Sequence, residues 1–505
     1  MNGLWKRVRN RKNNWVRSRR LPVYKSARSR NVEFRRFPKE IAMGVSKHGG
    51  FILLAVAAGA LSMRTVQARN WAQNTAQNPP HAAGSAAAPL PKDVYPDSRT
   101  RLPLATADAD GNPIVMRKSE LPVGIEQPGI SAWSPQYAKL MGPYVHYIKY
   151  EIGLSNRELE IAILVVSRET DSQYLWTQYE EHGRNPTDPR HIEQSTIDII
   201  KYEKPVTGLS EKETAIIEFG RETFGQRLLS PKTFAEVLRL FGRKGSIDLI
   251  DMMSGYSGAT AELVAFDNQL RADQKPLLPP IDHPRNPARF AAAAANPLPA
   301  DVYAESRNRF PLPRRDDMDD YAKKVFDETN RGKPLPNGGV PAGFLPTGTP
   351  QPGVLLWDPK LAELRSTISH YLKYETGLPP QLEEIAVLVT AYEMDCQYEW
   401  TQWEMFGRNP ADPRHLEQST IDIIKYDKPV AGLGEKEAAI IEFGRETFGR
   451  RKVSSETFAK VLGLFGRKGT VDLLELMASY AGTAGQLTAI DEQLQPGQKP
   501  LLPPR

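Results

Sequence analysis

The chain has 505 residues and a formal net charge of +6, a length that fits two to four ordinary domains, each with its own core. The positive balance sits at one end. Residues 1–42 hold 14 Lys and Arg against Glu33 and Glu40, so the remainder is net acidic, and a basic nucleic-acid footprint on the folded domains is excluded. Cys396 is the one cysteine, so no intrachain disulfide can form and stability must come from packing.

Residues 1–42 read as a basic segment that can lie upstream of a true start at Met43. Residues 43–68 have the layout of an export signal peptide: Lys47, an apolar run from Phe51 to Met63, and a Val66-Gln67-Ala68 ending suited to cleavage. The expected product is a periplasmic or secreted protein beginning near Arg69. The alternative is an N-terminal membrane anchor, for which the apolar run is short. No second stretch approaches membrane-spanning length, so stable membrane insertion is not expected.

Residues 69–125 form a Pro/Ala-rich arm. Inside it Asp93-Val94-Tyr95, Ser98, Arg101 and Pro103-Leu104 return 208 residues later as Asp301-Val302-Tyr303, Ser306, Arg309 and Pro311-Leu312. The body of the chain is duplicated at a different offset. The run from Asp188 to Tyr202 recurs from Asp412 to Tyr426 with Ile192 alone replaced, by Leu416, and the same 224-residue shift pairs Ile216–Gly225 with Ile440–Gly449. The expected domains are 126–274 and 350–495, joined by a linker and second arm over 275–349 and followed by a disordered tail over 496–505.

Each repeat has helical periodicity throughout. Ser134-Pro135 and Asp358-Pro359 place a capping side chain before a proline in the first turn. Ser155 with Glu158, and Ser210 with Glu213, spell capping boxes. Asp188-Pro189 and Asp412-Pro413 are predicted to start helices ending near Lys201 and Lys425. Ser230-Pro231 opens a helix with Phe234, Val237, Leu238 and Phe241 on one face, and another covers about 246–270. The fold class is therefore all-α, with two tandem bundles of six to seven helices.

The segment from Leu159 to Gly183, with Glu160-Ile-Ala-Ile-Leu-Val-Val, Gln173-Tyr-Leu-Trp-Thr-Gln and a following Gly-Arg-Asn-Pro loop, resembles the carboxymuconolactone decarboxylase family, which includes the alkyl hydroperoxidase D-like proteins. Leu209–Phe219 and Thr233–Tyr256 resemble the rest of that domain, and both repeats carry the likeness. The redox branch uses a glutamate, two cysteines and a histidine. Carried onto this chain, these fall on Glu160 and Glu384, on Ser172 and Cys396, on Leu175 and Glu399, and on Tyr179 and Trp403. Neither repeat holds both sulfurs, so dithiol peroxide reduction is not expected. The lactone-decarboxylase branch implies acid–base chemistry without metal or organic cofactor.

The catalytic candidates are Glu160, Glu384, His191, His415 and Cys396, and the substrate-binding candidates are Tyr174, Trp176, Tyr179, Tyr398, Trp400 and Trp403. A glutamate in an apolar, aromatic-lined pocket has a raised pKa and can shuttle a proton; the alternative is an interhelical ion pair. Tyr174 and Trp176 can equally be core. His191 and His415 are read into the first turn after Asp-Pro, where backbone N–H groups favour neutral imidazole, with a capping role as alternative. Cys396 is either a lone peroxidatic thiol or an inert small residue.

The expected function is action on a small organic acid, lactone or peroxide-like compound by glutamate chemistry. The rivals are a noncatalytic binding or assembly protein and a one-cysteine peroxidase. No metal-ligand spacing and no phosphate loop is present. The resemblance implies trimers or hexamers of single domains, hence a homotrimer of two-domain chains with a dimer as runner-up, and the aromatic residues on the Tyr174 and Tyr398 helices are the expected contact or pocket wall.

Overall fold

The computed structural model describes residues 89–106, 128–281, 297–329 and 351–503. The basic segment, the export signal and parts of both arms lie outside the described residues. The first repeat runs α1 (Pro128–Ser131), α2 (Pro135–Tyr150), α3 (Asn156–Glu169), α4 (Gln173–Arg184), α5 (Gln194–Lys201), α6 (Glu211–Gly220), a π-turn π1 (Arg221–Gly225) and α7 (Pro231–Ala265). After α8 (Asp320–Thr329) the second copy runs α9 (Gln351–Leu355), α10 (Pro359–Tyr374), α11 (Pro380–Glu393), α12 (Gln397–Gly407), α13 (Gln418–Lys425), α14 (Glu435–Gly444), π2 (Arg445–Gly449) and α15 (Ser455–Ala489). Among the described residues every regular element is helical, as the periodicity predicts.

Local chemistry accounts for most boundaries. Ser155 and Glu158 close a reciprocal capping box at 2.8 and 3.2 Å, and Ser210 with Glu213 closes another. Gly434 stands at the position of Ser210, so there only its backbone N–H bond to Glu437 remains, at 2.9 Å. α7 and α15 turn corners at Gly242 and Gly466, whose φ of 66° and 67° with ψ near 180° is a conformation open essentially to glycine alone.

Two predicted starts are corrected. Asp188-Pro189 does not open a helix: the Asp188 carboxylate accepts from the backbone N–H of Arg190 at 2.9 Å and clamps the same residue's guanidinium at 3.0 Å. With that oxygen committed to a turn, α5 begins at Gln194 after Glu193, and Asp412-Pro413 repeats the arrangement before α13. Ser134 likewise does not cap α2, because its hydroxyl donates to Asp472 in the other repeat. Asp358 does cap α10, accepting from Lys360 and Leu361.

α3 is buried from Leu159 to Glu169 and α11 from Leu382 to Glu393. Each is the central rod of its bundle, apolar nearly all round rather than on one stripe. This placement puts any polar residue on either rod deep in the protein.

The repeats belong to one compact unit and meet through contacts that come in pairs. A Cβ on Gly258 would lie 2.5 Å from the Ala478 carbonyl oxygen, and one on Gly482 would lie 3.0 Å from that of Ser254, so the α7 and α15 backbones touch where both sequences supply glycine. Arg227 pairs with Asp395 at 2.9 Å and Arg451 with Asp171 at 2.7 Å. Arg467 covers Trp133 at 4.5 Å and Arg243 covers Trp357 at 4.6 Å. Residue i meeting j while the copy of j meets the copy of i defines an isologous interface, here between two halves of one chain.

Each arm lies on its own repeat and reaches the other. The N–H of Arg101 donates to Phe266 O at 2.9 Å while its guanidinium sits 5.5 Å from the Phe458 ring centre. Arg309 donates to Ile490 O and covers Phe234 at 5.3 Å. The tail expected to be disordered is docked over its described residues: Leu502 is buried, and Leu501 N–H donates to Thr401 Oγ1 at 3.2 Å, as Leu277 does to Thr177 at 3.3 Å. The repeats therefore extend past 274 and 495, a boundary written in the duplicated Gln274-Lys-Pro-Leu-Leu-Pro-Pro and Gln498-Lys-Pro-Leu-Leu-Pro-Pro.

Candidate functional site

Glu160 projects from the first half of α3 and is fully buried, with neither carboxylate oxygen in a hydrogen bond. Burial pushes its pKa up to about 8, against the opposing field of Arg190. Arg190 Nε stands 4.0 Å from the carboxylate, and Asp188 grips that same Nε and the adjoining Nη2, each at 3.0 Å. The Tyr179 and Tyr256 hydroxyls share a 3.0 Å hydrogen bond, and Glu160 and Arg190 both act on Tyr179. His182 packs edge-on to Tyr179, and burial followed by the Arg190 charge lowers its pKa to about 4, so its ring is neutral. The group is an isolated carboxyl, a clamped cation and two phenols.

The second repeat rebuilds this group with different chemistry. Glu384 is fully buried and makes no hydrogen bond of good geometry; burial raises its pKa well above the usual carboxylate range, opposed by Arg414. Arg414 is held by Asp412 at 2.8 Å and covers Phe406 at 3.8 Å and Trp403 at 5.2 Å. Trp403 replaces Tyr179, so no phenol pair forms, and both the Trp403 indole N–H and the Tyr480 hydroxyl are buried without partners. Glu383 and Glu399 replace Leu159 and Leu175. Burial raises Glu383 to about 7 and Glu399 well above its ordinary value, and both carboxylates act on Tyr480.

Sequence reasoning chose Glu160, Glu384, Tyr179 and Trp403 for these places. It passed over Arg190, Arg414, Tyr256 and Tyr480, all kept at the 224-residue offset, because histidines in the same segments drew attention. His191 and His415 lie in the turns before α5 and α13. Their Nδ1 atoms donate to the carbonyls of Gly183 and Gly407 at 2.8 and 2.9 Å, which fixes the tautomer and ties the turn to the end of α4 or α12. The helix-start environment expected for them is absent.

The other aromatic candidates are structural. The indole N–H groups of Trp176 and Trp400 donate to Glu180 and Glu404, the second at 2.5 Å, and those buried carboxylates are neutralised by Lys201 at 2.7 Å and Lys425 at 2.9 Å. Tyr174 is buried in the main core.

Cys396 and Tyr398 form a separate small cluster with Ala484, Leu487 and Leu494. The cysteine is the N-cap of α12 and buried, and desolvation followed by the Glu399 charge pushes its thiol well above the ordinary range. Neither of the two clefts described between the repeats is lined by Glu384, His415 or Cys396. The aromatic rings expected to form the oligomer contact are covered within a single chain, so they supply no apolar patch on the surface.

Among the described residues no group of three or more His, Cys, Asp or Glu is placed to hold a metal ion, and no helix is long and apolar enough to cross a membrane. Comparison with protein-family models, with curated proteins and with solved structures returns no match to this chain.

Proposed function

We propose that the protein is a carboxymuconolactone decarboxylase-like enzyme that acts on a small organic acid, lactone or peroxide-like compound by glutamate acid–base chemistry, without metal or organic cofactor. The observation that carries this reading is the setting of Glu160: fully buried, without a hydrogen bond and beside a cation at 4.0 Å, where burial pushes its pKa up to about 8. A carboxyl so poised exchanges its proton near neutral pH, where general acid–base catalysis is most effective. Arg190, its orientation set by Asp188, offers a positive charge to an anionic substrate and favours the ionised form of Glu160. We further propose that residues 43–68 are an export signal, so that the protein acts outside the cytoplasm and begins near Arg69.

The test is turnover of cyclic lactone acids by wild type and by Glu160→Gln/Glu384→Gln. Loss of turnover with retained binding supports the reading, and equal turnover by the double variant overturns it. A noncatalytic binding role is the second reading. It is favoured by one fact: the two clefts described between the repeats are lined by neither Glu160 nor Glu384. The one-cysteine peroxidase has less support, because the Cys396 thiol is buried and its thiolate disfavoured.

A further inference from the structure

Glu160 and Glu384 stand at one position of the duplicated fold, each with a clamped arginine beside it. The clamps are alike: Asp188 holds Arg190 at 3.0 Å, and Asp412 holds Arg414 at 2.8 Å. What the arginines then reach is not alike. Arg190 Nε lies 4.0 Å from Glu160, whereas among the described residues no ion pair joins Arg414 to Glu384.

The difference lies in one ring. His182 sits edge-on to Tyr179 with centroids 5.8 Å apart, and Phe406 sits edge-on to Trp403 at the same 5.8 Å, so an imidazole and a benzene ring occupy equivalent places. The Arg414 guanidinium is 3.8 Å from the Phe406 centre and 5.2 Å from that of Trp403. An aromatic face attracts a cation within about 6 Å, and more strongly when the pair is desolvated, so these two rings hold Arg414 off the carboxyl. Arg190 has an imidazole in that place, kept neutral by burial and then by the Arg190 charge, and the Tyr179 hydroxyl is tied to Tyr256 at 3.0 Å.

Two further differences set the second carboxyl apart. Glu383 and Glu399 stand where the first repeat has Leu159 and Leu175, and the Glu383 charge adds to burial in raising Glu384. Lys149, half-buried on the wall of one cleft between the repeats, acts on both Tyr179 and His182, so that cleft borders the first group. Its counterpart Lys373 instead lies 5.4 Å from the Tyr480 ring centre and acts on Glu383 and Glu399.

We propose that the reaction is carried by the first repeat alone, with His182 as the positioning residue: imidazole at 182 leaves Arg190 with Glu160, and Phe406 draws Arg414 away from Glu384. This rests on the acid–base reading of Glu160.

The test reads the protonated-carboxyl C=O band of the full-length protein by infrared difference spectroscopy from pH 6 to 10. Subtracting the same protein carrying Glu160→Gln isolates Glu160, whose band should fade with a midpoint at about 8. His182→Phe should move that midpoint up by about one pH unit or more, the scale of a charge leaving a 4–6 Å contact, while His182→Leu, which has no aromatic face, should leave it in place. An unmoved midpoint in His182→Phe, or an equal shift in His182→Leu, overturns the positioning role. Turnover of cyclic lactone acids should vanish in Glu160→Gln and persist in Glu384→Gln. Loss in Glu384→Gln, or activity kept in Glu160→Gln and lost only in the double variant, overturns the confinement to the first repeat and leaves the acid–base reading standing. Full turnover in all three variants overturns that reading instead.

Discussion

Gln486 donates a 2.6 Å hydrogen bond to Asp251 across the repeat boundary, and the counterparts of these two residues, Glu262 and Glu475, face each other as a pair of acids. Asp251 also receives Tyr144 at 2.8 Å and Arg365 at 3.2 Å, contacts that oppose the burial raising its pKa. Glu475 receives Tyr137 at 2.6 Å, with Asp472 adding to the negative field. Glu262 can donate as Gln486 does only while it keeps a proton.

Burial raises both acids, Glu475 to about 7 and Glu262 well above its ordinary value. With folded pKa values above unfolded ones, the native state binds more protons between them, so stability falls as pH rises from about 4.5 through 7 and beyond. Glu262→Gln supplies a permanent donor and should flatten this loss. Melting curves from pH 5 to 8 should show the variant gaining on wild type by at least ~1 °C, the shift that about 1 kcal/mol produces in a cooperative unit of roughly 400 residues. A difference that does not change with pH would mean that Glu262 does not titrate there.

Arg190 opposes the desolvation of Glu160. If Glu160 acts as the base, the rate rises with pH through an inflection near 8, and removing the cation must move that inflection upward. Arg190→Met should therefore show its limb displaced to higher pH by about one unit or more, the scale of a charge within 4–6 Å. A profile with unchanged inflection and a uniformly lower rate would make Arg190 a binding residue alone.

Cys396 should be inert in the native protein. Its thiol is buried beside Glu399, which disfavours the thiolate. Iodoacetamide at pH 7.5 should label it only after unfolding, and hydroperoxide should leave no sulfenic acid. Rapid labelling of folded protein would restore the one-cysteine reading.

The helices and the duplication were legible because they rest on local signals: capping boxes, apolar periodicity and a fixed offset. Glu160 was found because a carboxylate inside an apolar run is conspicuous. Arg190 was not, since its position depends on Asp188 forming a turn where Asp-Pro normally caps a helix. The docking of 499–503 was written in the repeated Lys-Pro-Leu-Leu-Pro but hidden by a composition that otherwise reads as a loose tail. The pairing of the two halves was not legible either. It depends on Gly258 and Gly482 bringing helices 224 residues apart into backbone contact, and no local pattern reports so distant a neighbour.

The paired bridges Arg227–Asp395 and Arg451–Asp171 are symmetric in sequence and unequal in setting. The Asp395 side chain is 1% exposed and Arg227 19%, whereas Asp171 and Arg451 are 35% and 32% exposed. Arg227 also donates to the Glu393 carbonyl at 3.0 Å. Breaking a buried pair strands a desolvated charge and costs about 3 kcal/mol or more; breaking a half-exposed pair costs about 0–1 kcal/mol. Urea unfolding of Arg227→Met should thus show the larger loss, with Arg451→Met close to wild type. Replacing both ends of the buried pair, Arg227→Met/Asp395→Leu, should recover much of that loss because no charge is left stranded. Equal costs for the two single variants would show that the halves share the load evenly, and that the exposure difference has no energetic consequence.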